Sequence, residues 1–201
     1  LFLLLTVVII FLRHVDKSLF AGGFTGALSQ IIIIIAFQVF FGYIYWMIGL
    51  LVTAFMGGIT FGAYYLHKTG KLSSKRSFAQ LLGYIMISAL ILPVLLNLMN
   101  KSDLNEKFLI FSLFIIIFGF GFLTGSLFIN AARLKFSSGK KVKSIAADTF
   151  GADMAGSAIG ALGAAVVLIP NFGILNTCYF AAGINAVAMI FLIFGLKKNR
   201  I

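Results

Sequence analysis

The sequence predicts an all-α, polytopic transmembrane bundle of about seven helices, and three observations carry that prediction. Hydrophobic residues make up 61% of the 201 residues and charged ones only 10%, against roughly half and a quarter in a soluble domain. The apolar residues gather in blocks of about 20, the length at which a helix rising 1.5 Å per residue crosses a hydrocarbon core ~30 Å thick. The polar clusters between blocks alternate between strongly basic and nearly neutral. One membrane domain over 1–201 follows, without a separate soluble domain.

The first block, Leu1 to about Leu12, stops at Arg13, His14, Asp16 and Lys17. It is too short to span and lacks the basic start of a signal peptide. It reads as the end of a helix that begins before Leu1, and the chain reads as a fragment of a longer protein. The second block, about Leu19 to Tyr43, meets a third, about Trp46 to Leu66, in a tight hairpin. Tyr43, Tyr45 and Trp46 mark the headgroup level there, where amphipathic rings settle. A basic loop with His67, Lys68, Lys71, Lys75 and Arg76 leads to the fourth block, about Phe78 to Met99. The neutral connection NKSDLNEK leads to the fifth, about Phe108 to Ala132. Arg133, Lys135, Lys140, Lys141 and Lys143 form the next basic loop, before a sixth block from about Ile145 to Ile169. PNFG at Pro170 turns it into the seventh, about Ile174 to Leu196, and Lys197, Lys198 and Arg200 follow.

Counting Lys and Arg on alternate sides places 14 on one and 2 on the other. The basic side is cytoplasmic by the positive-inside bias, which puts the carboxyl terminus in the cytoplasm. The net charge of +11 then meets anionic lipid headgroups, and nucleic acid is excluded for want of a basic face that tracks a strand. A faint repeat relates GGITFGAYY in the third helix to GFGFLTGSLF in the fifth. Parallel repeats of this kind occur in transporters, and glycine-rich helix packing also produces them.

Polar residues inside apolar helices are costly, so function is sought there first. Asp153 lies about a turn and a half inside the sixth helix, on the face of Gly156, Gly160 and Ala164. These form a small-xxx-small stripe that admits a neighbouring backbone, as do Gly58 with Gly62 and Gly121 with Gly125. Asp153 reads either as a hydrogen-bond acceptor within a tight helix contact or as a cation or proton site. Asp148 reads as a helix-start residue favoured by the dipole. Gln30 and Gln38 share one side of the second helix, for interhelical amide bonds or a polar path. Asn97, Asn130 and Asn185 read as packing and capping groups, Cys178 as a small packing residue, and the 23 Phe as lipid-facing surface. His14 and His67 flank loops rather than face each other within helices, which argues against haem, and no Cys/His cluster or phosphate-binding glycine loop is present. No cofactor or metal is expected.

The stretch Gly23 to Tyr65, with Ala36-Phe37-Gln38, Gly42, Tyr43, Tyr45, Phe55-Met56-Gly57 and the Gly58 to Gly62 spacing, resembles the membrane region of bacterial spermidine synthase-like proteins. Asp153 to Ile174 is similar to that family's Asp-x-x-Gly-x-x-x-Gly-Ala helix and proline turn. Such proteins join a major-facilitator-like helical region to an aminopropyltransferase-like domain. The resemblance implies that the catalytic part, a soluble α/β fold binding decarboxylated S-adenosylmethionine, has no counterpart in these residues, so no catalytic residue is carried over and this chain by itself is not expected to be an enzyme. Only Asp153, Gly156, Gly160 and the Gln38 region correspond to family positions. The resulting expectation is a membrane anchor or integral subunit of a larger membrane assembly, with protein partners in the bilayer. The rival is half of a secondary transporter for a small cationic solute such as a polyamine, with Asp153 as charge partner and Gln30 and Gln38 along the path.

Overall fold

A computed structural model describes residues 14–42, 45–69, 75–101, 105–136 and 142–197. Every regular element among them is helical: α1 (His14–Phe41), α2 (Tyr45–Thr69), α3 (Lys75–Lys101), α4 (Glu106–Phe136), α5 (Val142–Leu162), a π-helical turn (Gly163–Leu168) and α6 (Ile169–Lys197). Five stretches are long and apolar enough to cross a membrane, the architecture of a multi-pass membrane protein. The block expected over Leu1 to Leu12 lies outside the described residues, as does Tyr43.

The fifth stretch, Ser144–Leu192, has 49 residues, about 74 Å if straight and more than twice a hydrocarbon core. It breaks at Gly173, whose φ of 75° and ψ of 173° are non-helical. Its two halves then pass α1 in opposite directions. On α5, Gly156 rests on Phe20 and Gly160 on Phe24, in ascending order. On α6, Ser18 of α1 reaches Ala188 and Thr25 reaches Asn185, in descending order. The described chain therefore forms six rods.

The expected PNFG turn thus falls on its glycine alone, and Pro170 stays helical. Proline has no N–H to give the preceding turn and crowds its carbonyl. The chain answers with the π-helical turn just before it, in which the Ile169 N–H bonds the Ala164 carbonyl five residues back. Gly173 sits in a backbone region open almost only to glycine, and an added Cβ there meets nothing within 4 Å. Gly173→Ala is therefore expected to cost about 1–3 kcal/mol by conformational strain alone, measured as a lower thermal midpoint in detergent. Between α1 and α2 Gly42, φ 80°, plays the related role of a left-handed cap, its N–H bonding the Gln38 carbonyl at 2.9 Å. The two helices barely touch, so the expected tight hairpin does not form and α2 packs on α4 instead. Tyr45 and Trp46 follow it, exposed.

Several boundaries move outward from those the hydropathy suggests. Helix α1 starts at His14 rather than near Leu19, so Asp16 and Lys17 are helical rather than part of a connection. Likewise α4 runs on to Phe136 and contains Arg133 and Lys135, expected in the loop. The reason is that polar side chains at a helix end cost nothing in backbone hydrogen bonding, so apolar content understates helix length. Because α5 begins at Val142, Asp148 lies beyond the first turn, where the dipole acts.

Helix α1 is the axis of the bundle, with α4, α5 and α6 packed around it. Phe20, Phe24, Phe37 and Phe78 are fully buried, so the expectation of Phe as lipid-facing surface fails for these. Phe61, Phe108, Phe111, Phe118, Phe136 and Phe150 are exposed. Lipid and protein core are equally apolar, and hydropathy cannot tell the two surfaces apart.

The two halves of the faint repeat are packing partners. Gly58 and Gly62 of α2 lie on the Phe118 and Phe122 carbonyls of α4, while Gly121 and Gly125 of α4 lie on the Phe55 and Ile59 carbonyls of α2. The ascending order on both sides makes α2 and α4 parallel neighbours. Ser126 adds a hydrogen bond to the Gly62 carbonyl at 3.3 Å. Each glycine pair makes room for the other helix's backbone, which accounts for the similarity of the two motifs.

Candidate functional site

The polar groups of the interior line up along α1 and its neighbours, starting at the basic end of the bundle. Lys135 of α4 donates to the Asp16 carboxylate of α1 and, at 3.2 Å, to the Thr149 hydroxyl of α5. The side chains of Lys135 and Asp16 are only 3% and 5% exposed. Taking two charges out of water costs several kcal/mol each, and direct pairing with a further hydroxyl acceptor offsets it. This contact ties three helices together at the end where the basic loops lie.

One turn further along α5 is Asp153. It is buried against α1, where a Cβ on Gly23 would come within 2.7 Å of its Oδ1 and 2.8 Å of its carbonyl oxygen. Ser157, a turn later, donates to the Gly23 carbonyl at 3.3 Å. Gly23 is thus the residue that opens space for the Asp153 carboxylate, and Gly156 and Gly160 bring the two backbones close enough for it to be enclosed. The Asp153 Oδ1 receives no hydrogen bond from the described residues.

Next to this contact Asn185 of α6 donates to the Thr25 hydroxyl of α1 and to the Ala181 carbonyl at 3.0 Å. Asn130 of α4 is fully buried with neither side-chain atom bonded to a described residue, and the Ser29 hydroxyl is similarly placed. Asn130 and Asn185 therefore sit in the interior, rather than capping helix ends. Asn97 is exposed on α3. Ala164 is fully buried in the apolar core, beyond Gly160 on the same stripe.

The structure does not bring the three expected polar-site residues together. Gln30 and Gln38 are half-buried on α1, seven and fifteen residues past Gly23, hence about 10 and 22 Å further along the axis. Between the Asp153 level and Gln38 the core holds Phe24, Leu28, Ile32, Ile33 and Phe37, all with 0% exposure. A cavity of about 700 Å³ opens at the far end between α1, α3 and the Gly173 turn, with Asn97, Asn100 and Asn176 on its wall. Asp153 does not line it. Among the described residues no three His, Cys, Asp or Glu side chains cluster as metal ligands would. His67 instead offers its carbonyl to the Arg133 guanidinium at 2.8 Å, tying α2 to α4.

Comparison with family models, characterised proteins and solved structures finds no match.

Proposed function

We propose that this chain is the membrane-embedded helical domain of a spermidine synthase-like protein, serving as anchor or integral subunit of a larger membrane assembly. The observation that carries the reading is the filled interior. Bulky apolar side chains occupy the bundle between the outer cavity and Asp153, glycines seat backbone on backbone in two helix pairs, and a buried ion pair ties three helices at the other end. Such a body suits support better than alternating access, which needs two packings of similar energy. The tie to the family rests on the Gly23–Tyr65 and Asp153–Ile174 motifs, and with it comes a major-facilitator-like ancestry. The division of Lys and Arg, 14 against 2, supports an inner-membrane protein with a cytoplasmic carboxyl terminus and anionic lipid around it.

The unbonded Asp153 Oδ1 favours a second reading, half of a transporter for a small cationic solute such as a polyamine. Proteoliposomes of the full-length protein, with labelled putrescine or spermidine outside, separate the two. With the anchoring role, Asp153→Asn leaves the assembly and the background uptake unchanged. An intact assembly in which Asp153→Asn abolishes uptake would make the chain a transporter.

A further inference from the structure

A groove of about 360 Å³ runs between α1 and α6, lined by Phe20, Ala21, Phe180, Gly183, Val187 and Phe191 among others. Among the described residues lining it, only Lys17 carries a charge. The Lys17 ammonium lies at the mouth, 5.2 Å over the Phe191 ring, at the end of the bundle that carries the basic residues. Its neighbour Asp16 points the other way, into the pair with Lys135.

Gly183 keeps one wall of the groove open. On the outer face of α6, Tyr179, Val187, Ile190 and Phe191 are large and exposed. Gly183 lies among them, exposed, and a Cβ added there meets nothing within 4 Å. Unlike Gly156 or Gly125, then, this glycine seats no described helix. It leaves an apolar slot about two turns long on the bilayer face, with a cation at its headgroup end.

We propose that this groove is a binding site for one anionic phospholipid, with an acyl chain along Gly183 and the phosphate on Lys17. The charge complementarity selects the class. A fixed ammonium beside an apolar slot matches a phosphodiester with net negative charge, and a zwitterionic lipid gains less because its own cation opposes Lys17. The proposal is independent of whether the bundle anchors or transports.

The test uses the full chain in neutral detergent, with phosphatidylglycerol or phosphatidylcholine of matched acyl chains added and retained lipid read by native mass spectrometry. Wild type is expected to hold one phosphatidylglycerol in preference to phosphatidylcholine. Lys17→Gln should reduce that preference about fivefold. Gly183→Leu, which fills the slot, should lose the retained lipid while leaving the melting temperature in lipid-free detergent unchanged. Unaltered preference in Lys17→Gln, or wild-type lipid retention in a folded Gly183→Leu protein, would overturn the site. So would a dimer that Gly183→Leu dissociates, because a second helix would then occupy the groove. If Gly183→Leu does not fold, the Lys17→Gln measurement decides.

Discussion

Replacing Lys135 with methionine is expected to destabilise the folded bundle by about 3–5 kcal/mol, because it leaves the Asp16 carboxylate buried without a counter-charge. The side chain of Asp16 is only 5% exposed, so water cannot replace the lost ammonium without the helix end opening. Asp16→Leu alone should cost a similar amount by stranding Lys135. The double variant Asp16→Leu with Lys135→Met should recover most of the loss, since an apolar pair of similar volume often matches a buried ion pair. Equilibrium unfolding in mixed micelles across the double-mutant cycle measures the coupling. Additive single effects would mean that the two charges do not depend on each other.

Gly125→Ala is the second large effect. Its added methyl would lie 2.1 Å from the Ile59 carbonyl oxygen, a backbone atom that cannot rotate away. Gly62→Ala meets the Phe122 carbonyl at 2.2 Å from the other side of the same contact. Each should force α2 and α4 apart and cost about 3 kcal/mol or more, the upper part of the range for overpacking. The controls lie on the same two helices. Gly119 has nothing within 4 Å of an added Cβ, and Gly57 has only the edge of Phe118 at 3.9 Å. Alanine at either should be neutral or slightly stabilising, as alanine for glycine usually is within a helix. Thermal midpoints and the monodisperse fraction on size exclusion distinguish the pairs. Equal loss at Gly119 and Gly125 would rule out backbone contact as the cause.

The part of the candidate site that hydropathy reveals is Asp153 and its glycine stripe, because an acid in an apolar block stands out and the four-residue spacing puts Gly156 and Gly160 on one face. What hydropathy hides is the ion pair. Asp16 and Lys135 fall 119 residues apart and each borders a cluster of charges, so both look like ordinary loop residues. One local signal was available. Continuing α4 at its helical period puts Lys135 on the face of Thr124 and Ala131, both buried. Gly183 posed the opposite difficulty, since in sequence it is indistinguishable from the glycines that seat a neighbouring helix.

Helicity, helix lengths and apolar content suited to a bilayer, and the rough places of the basic connections are legible in the residues alone. Those properties depend on composition and length along one dimension, and the cost of exposing backbone polar groups to hydrocarbon leaves helices as the only economical answer for such blocks. Which helices touch, which phenylalanines face protein and which glycines carry a neighbour's backbone emerge only in the packed bundle. With apolar surroundings on every side there is no amphipathic stripe to mark the inner face, and the choice falls to shape and to a few buried polar pairs. The Asp16–Lys135 contact and the Gly58–Gly62 and Gly121–Gly125 interlock are where that choice is made.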